Sequence, residues 1–317
     1  MKHNLKITFI ILAMFLLTQF IGIYVLDFYS PVKVVDGNII DVDSPGLPFG
    51  LETPELEGKA EFSQAFASII VAFMIAISLL LLLSKFNARI IIRLWFFVVV
   101  AIALGISFNV PLLEIFSKIN LSSLGGSTPW IIALVLGLVF SYLKIYKRDF
   151  FVHNFTELLV YPGISAVFVP ILSIYTIIPL LILISVYDMW AVWHSGVMQK
   201  MAKYQIDQLN IFSGFFVPYL SKKVKLKLKK LSKLELKKKK IKVNIAVLGG
   251  GDVVFPIISA GVMLKTLGLL SAFFTVIGAA VGLGLLLLFS EKKKFYPAMP
   301  FITAGIFAGI GLSYLVL

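Results

Sequence analysis

Two aspartates stand inside long apolar runs: Asp188 within Ile177 to Trp193, and Asp252 directly after the Gly249-Gly250-Gly251 triplet that opens another. The remaining 14 of the 16 acidic residues fall in loops or near the ends of apolar segments. A carboxylate at membrane depth is costly and is as a rule kept for function, with a partner; here each is the obvious partner of the other. Two carboxyls held close in a poorly solvated place do not both ionise cheaply, so one keeps its proton near neutral pH and the pair titrates as a unit. Such a pair has both tools for hydrolysing a peptide bond. The ionised member takes a proton from water while the protonated member polarises the scissile carbonyl, giving a tetrahedral diol without a covalent intermediate. No metal or other cofactor is required. The same acids beside an unwound, glycine-rich helix also suit cation or proton binding in a secondary transporter. In the plainest alternative each aspartate merely bonds a neighbouring helix.

The elements that must position this pair are membrane helices. Hydrophobic residues make up 59% of the 317-residue chain against 14% charged, and mean hydropathy is +0.98. Apolar runs near 20 residues recur, each long enough to cross a hydrocarbon core of roughly 30 Å. The fold class expected is an all-α polytopic membrane protein with nine spans, near 6–26, 63–84, 90–108, 129–145, 155–172, 174–198, 243–264, 267–289 and 297–317. Residues 1–173 form an N-terminal group of five spans and residues 174–317 a group of four, leaving no room for a sizeable soluble domain. The first span starts like a signal peptide, with Lys2 and Lys6, but no small-residue cleavage site follows before Asp27, so it reads as an anchor. The Pro162-Gly163 pair is expected to interrupt the fifth span, and the turn near Ser173 is tight. With no cysteine, disulfides, thiolate metal sites and a cysteine nucleophile are all excluded.

Lysine and arginine set the expected orientation. With the N-terminus inside, the inside loops hold Lys85 and Arg89, then Lys144, Lys147 and Arg148, then the lysine-rich stretch from Lys200 to Lys242, then Lys292 to Lys294. The first outside loop, 27–61, carries Asp27, Asp36, Asp41, Asp43, Glu52, Glu55, Glu57 and Glu61 against Lys33 and Lys59. Nine spans place the C-terminus outside. The net charge of +13 needs no nucleic acid, because positive-inside bias and anionic lipid account for it.

Depth brings the aspartates together. Asp252 lies ten residues after Lys242 and Asp188 twelve before Lys200, about 15 and 18 Å if both segments are helical. The glycine triplet removes three side chains just before Asp252, letting the backbone bend or a substrate strand approach. Pro256 has no amide hydrogen, so the Asp252 carbonyl loses its usual helical partner. Tyr187 is deep for a tyrosine; its hydroxyl is placed to bond a carboxyl or a substrate carbonyl, or its ring simply packs.

Tyr187-Asp188 in the sixth span, Gly249-Gly250-Gly251-Asp252 in the seventh and Pro297-Ala298-Met299 at the ninth resemble three signatures of the presenilin and signal peptide peptidase family of intramembrane aspartyl proteases: Tyr-Asp, Gly-x-Gly-Asp and Pro-Ala-Leu. Each motif alone is weak; their order and spacing make the combination specific. The resemblance, closest in size to archaeal homologues, implies a nine-helix presenilin-like bundle in a prokaryotic cell membrane. It implies that Asp188 and Asp252 are the catalytic pair and that Pro297, Ala298 and Met299 shape the site, with Met299 departing from the usual leucine. Tyr187 and Gly249 to Gly251 are further candidates for contact with substrate. The expected activity is endopeptidase hydrolysis of transmembrane or signal-like segments, so the expected partners are membrane-embedded peptides or proteins.

Other protease chemistries find little here. There is no His-Glu-x-x-His pair for zinc, and the only histidines are His3, His153 and His194. His194, six residues past Asp188, points to a different helix face and reads as a polar packing residue. The lysine-rich inside loop 199–242 reads as a basic loop on anionic lipid. Alternation through Val224 to Lys229 and Leu234 to Leu236 also suggests short strands, one of which would pair with an unwound substrate before the seventh span. A polybasic scaffold without catalysis is a third reading of the whole chain. Gly278 with Gly282, and Gly305 with Gly309, permit close helix packing within the bundle or self-association.

Overall fold

Prolines, glycines and buried polar side chains decide where these apolar runs start, bend and stop. In the computed structural model the described residues are 5–35, 38–42, 44–51, 58–86, 88–119, 128–147, 149–195, 211, 213–219, 244–290 and 296–317. Among them run nine helices: α1 Leu5–Tyr29, α2 Lys59–Lys85, α3 Arg89–Lys118, α4 Thr128–Tyr142, α5 Phe150–Phe168, α6 Ile174–Trp190, α7 Gly251–Leu267, α8 Leu269–Phe289 and α9 Met299–Val316. Counting their terminal turns, seven are long and apolar enough to cross a membrane: α1, α3, α4, α5, α6, α8 and α9. The protein is a multi-pass integral membrane protein. Two antiparallel hairpins complete it, β1 Val32–Val35 with β2 Asn38–Asp41, and β3 Gly214–Tyr219 with β4 Asn244–Gly249.

Three helices depart from the spans expected of them. The third runs ten residues past Phe108, through Pro111. Its polar residues bond to neighbouring helices rather than ending the helix: the Ser107 hydroxyl donates to the Leu159 carbonyl at 2.6 Å, and Asn109 Nδ2 donates to the Tyr29 hydroxyl at 3.0 Å. The fifth is not interrupted at Pro162-Gly163. Gly163 lies against the Ala103 carbonyl of α3, an approach that any Cβ would block, so here glycine serves contact rather than a break. The helix begins at Phe150, where the Asp149 carboxylate accepts from the Phe151 and Val152 amides as an N-cap. The seventh span, expected from residue 243, starts as strand β4 and becomes helical only at Gly251, which leaves α7 with 17 residues.

The tight turn at Ser173 is a capping box, with Thr176 reaching back to the Ser173 amide. Gly268 connects α7 to α8 at φ 90°, a conformation that L side chains rarely adopt, and packs against Val34. The four glycines of α8 and α9 are used within the bundle: Gly278 and Gly305 face each other's carbonyls, Gly282 meets Phe301 and Gly309 meets Phe274. One apolar core joins α1, α5, α6, α7, α8 and α9, centred on Phe15, Ile177, Leu181, Ile257, Met263 and Leu283, all nearly sealed from the surroundings. At the far end of α7, Lys265 is only partly buried and donates to the Val169 and Pro170 carbonyls at 2.8 and 3.3 Å. The alternating stretches at 224–229 and 234–236 lie outside the described residues, as does the rest of the lysine-rich loop 199–242 apart from residues 211 and 213–219.

Candidate active site

Asp188 arises in the last turn of α6, just before the helix widens into a π-helical turn at Ala191–Ser195. It is buried, and the Met299 amide donates to its Oδ2 at 3.0 Å, with the Ala298 amide also directed to the carboxyl. Those amides belong to the start of α9, where the first backbone N–H groups have no partner within the helix and favour an anion. One turn back along α6, the Ser185 hydroxyl donates to Thr303 at 2.8 Å, fixing α6 against α9. The Pro297-Ala298-Met299 segment thus meets the site through its backbone at Asp188. Its amides serve Asp188 because the helix N-terminus supplies the donors that a buried carboxylate needs.

Asp252 stands in the first turn of α7, half-buried. The Gly249 amide donates to its carboxyl, and the Asp188 carboxyl is within electrostatic reach of it. The strand-to-helix change happens over the glycines. Gly249 is the last residue of β4; Gly250 donates to the Ser213 carbonyl at 3.3 Å; Gly251 opens α7. Gly250 is confined, since a Cβ there would lie 2.7 Å from Ser213 Oγ and 2.8 Å from Tyr161 Oη. Gly251 is exposed, and a Cβ there would meet only Phe255, at 3.9 Å. Because β4 is extended, it advances about 3.3 Å per residue rather than the 1.5 Å of a helix. The helical depth estimate for Asp252 is therefore replaced by a longer reach through strand.

The remaining expected site residues are spread around this pair. Tyr187 is exposed, its ring 6.3 Å from that of Trp190. Pro297 and Met299 are buried and Ala298 is half-buried. His194 is exposed on the π-helical turn and does not pack into the bundle. No group of three or more His, Asp or Glu side chains among the described residues could hold a metal ion.

Several polar residues near the pair were not anticipated. Asp188 and Asp252 are not the only acids inside the bundle: Glu157 is 0% exposed, paired with Lys144 at 2.6 Å. It escaped notice because it lies two turns into α5, close to where the apolar run begins. Its signal was the spacing of four in His153, Glu157 and Tyr161, which puts three polar groups on one helix face. Gln19, in the middle of the first apolar run, is fully buried and donates to the carbonyl of Val253, the residue after Asp252, at 3.1 Å.

Residues 47–317 match the family described as signal-peptide peptidase, presenilin aspartyl protease. The fold is similar to two solved structures of a presenilin family intramembrane aspartate protease. The one in space group C222 has a TM-score of 0.58 at 15% identity, with 97% of this chain and 99% of that chain covered. The one in space group P2 has a TM-score of 0.58 at 16% identity, with 97% of each chain covered. No curated protein matches the sequence. With the family match running from residue 47 through α9, this chain belongs to the signal-peptide peptidase and presenilin family and is an intramembrane aspartyl protease.

Proposed function

We propose that Asp188 and Asp252 together activate water for hydrolysis of peptide bonds in transmembrane or signal-like segments. The observation that carries this is the pair itself: two carboxyls in electrostatic reach, one held by the amides that start α9 and the other by the amide of Gly249. In the reacting state one carboxyl is ionised and one protonated. The ionised member takes a proton from the attacking water, and the protonated member donates to the scissile carbonyl. Collapse of the resulting diol breaks the C–N bond as the amine leaves with a proton. Met299 and Ala298 orient Asp188 through their amides, and Pro297 sets the approach to that helix start.

The substrate must be unwound before its carbonyl can be reached, and β4 supplies an edge for that. Phe216 of β3 exchanges both its backbone groups with the Asn154 side chain. In an antiparallel ladder its opposite residue, Val247, therefore turns its own N–H and carbonyl away from β3. An extended substrate pairing along that outer edge would run past Gly249 towards Asp252, with Gly251 leaving room for its backbone. Tyr187, on the exposed side of α6, would meet its flank. The lysine-rich loop 199–242, apart from β3, which packs in the bundle, would rest on anionic lipid, with the N-terminus inside and the C-terminus outside a prokaryotic membrane. The groups 1–173 and 174–317 would act as support and as the catalytic half.

The test is cleavage of a membrane-peptide substrate by purified protein in lipid. Asp188→Asn and Asp252→Asn should each abolish it, and the double variant should be no worse than either. Substantial cleavage by either single variant sinks the proposal.

A further inference from the structure

We propose that the face of α5 formed by His153, Asn154, Glu157 and Tyr161 is a positioning element for Asp252, acting as a stand-in third strand on the β3–β4 hairpin. The inference rests on the catalytic role proposed for Asp252, and it concerns how that residue is held. A two-stranded hairpin among membrane helices has two edges of unpaired N–H and carbonyl groups, each expensive to leave unsatisfied. The β4 edge faces the route proposed for the substrate. The β3 edge faces α5, where side chains replace the missing strand.

The replacement is residue by residue. Asn154 Nδ2 donates to the Phe216 carbonyl at 2.9 Å, and the Phe216 amide donates to Asn154 Oδ1 at 3.0 Å, so a side-chain amide mimics a paired peptide. Two residues earlier on the same edge, the Gly214 amide donates to Glu157 Oε1 at 3.3 Å, and His153 Nε2 lies 2.8 Å from the Gly214 carbonyl. Two residues later the edge position is Pro218, which has no amide hydrogen to satisfy. The strand register then carries this grip across to the aspartate. Gly214 stands opposite Gly249, whose amide donates to the Asp252 carboxyl.

Tyr161 closes the turn from behind. It is fully buried with its ring 5.9 Å from that of Phe215. Its hydroxyl faces the Glu157 carboxyl and Ser213 without closing a standard hydrogen bond, and it bounds the space at Gly250. The Lys144–Glu157 pair is nearly sealed, at 2% and 0% side-chain exposure. A buried ion pair is weak evidence for stability and better suited to fixing one arrangement over another. Here the arrangement fixed is the height of Gly214, and through Gly249 that of Asp252.

Two variants of the full chain in lipid test this, Asn154→Leu and Glu157→Gln, each read by hydrogen exchange over 213–219 and 244–252 and by kcat per folded molecule on a membrane peptide. Faster exchange in both segments, with kcat lowered by about tenfold or more, is the expected result. A merely structural role would lower folded yield and leave kcat per folded molecule unchanged. Unaltered exchange in both variants overturns the clamp whatever cleavage does. Faster exchange with unaltered kcat overturns the positioning role and leaves the aspartate pair standing. If the unmodified chain cleaves nothing, the catalytic reading fails, and the exchange arm still decides whether α5 holds the hairpin; should Glu157→Gln not fold, Asn154→Leu decides it alone.

Discussion

The Met299 amide donates to Asp188 Oδ2 at 3.0 Å, so the third motif reaches the first aspartate through backbone, and the side chain at 299 faces the core. Met299→Leu, which keeps volume, should therefore retain cleavage. Met299→Pro deletes the donor, and trims the buried side chain, at a position near the helix start where proline is tolerated. A hydrogen bond to a charged group contributes about 1.5–3 kcal/mol, so kcat should fall by roughly 10- to 100-fold. Ala298 has a helical backbone that a following proline disfavours, and the variant's thermal midpoint separates that effect from the lost donor. Equal rates in the proline variant would show that Asp188 does not need the Met299 amide.

Cleavage should follow a bell-shaped curve against pH. The reacting state needs one ionised and one protonated carboxyl. Below the lower macroscopic value the ionised member is protonated and the base is lost; above the upper value the second proton leaves and the acid is lost. Asp188→Asn should remove activity across the whole range rather than shift one limb. A flat profile under conditions where chemistry limits the rate would exclude a shared proton.

The parts of this molecule that were legible in sequence are those set by long runs and rare residues. Nine helices followed from apolar length, and the two acids stood out as rare residues in apolar runs, whereas the depth match between them assumed helix before Asp252 where strand β4 stands. Residues 244–249 were not legible as a strand, because Ile245-Ala246-Val247-Leu248 is a short continuous apolar run that periodicity cannot assign to helix or strand. The contact from Met299 was invisible since it is made by an amide every residue type possesses. Glu157 was masked by its place near a span end, where a charged residue normally reaches water; its enclosure depends on Lys144 arriving from the turn after α4. Gln19 was readable in principle as a lone amide in the middle of an apolar run, but its partner, the Val253 carbonyl, lies 234 residues away.

The proposed orientation has a test independent of catalysis. The chain contains no cysteine, so single cysteines at Ser44 and Lys230 report without background. Ser44 lies in the acidic first loop and Lys230 in the lysine-rich loop outside the described residues. An impermeant thiol reagent on intact cells should label the cysteine at 44 and reach that at 230 only after the membrane is opened. Labelling of both from outside would reverse the proposed placement of the lysine-rich loop.

The glycine triplet divides into positions with different duties, and alanine substitutions should separate them. At Gly250 a Cβ would lie 2.7 Å from Ser213 Oγ and 2.8 Å from Tyr161 Oη, with Tyr161 itself fully buried and unable to swing away. Overpacking of this kind costs about 1–3 kcal/mol, and it would push the turn away from α5 at the residue two before Asp252. Gly250→Ala should therefore lower both the thermal midpoint and kcat. At Gly251 the nearest atom to a Cβ is 3.9 Å away, and alanine is the better helix former by about 1 kcal/mol. Gly251→Ala should fold at least as well as the unmodified chain. Its exposed surface is where a substrate backbone would pass, so its effect should be a raised KM for membrane peptides at unchanged stability. A Gly251→Ala variant with unaltered KM would show that substrate does not approach over this residue, and a Gly250→Ala variant as stable and active as the unmodified chain would show that Tyr161 does not bound the turn.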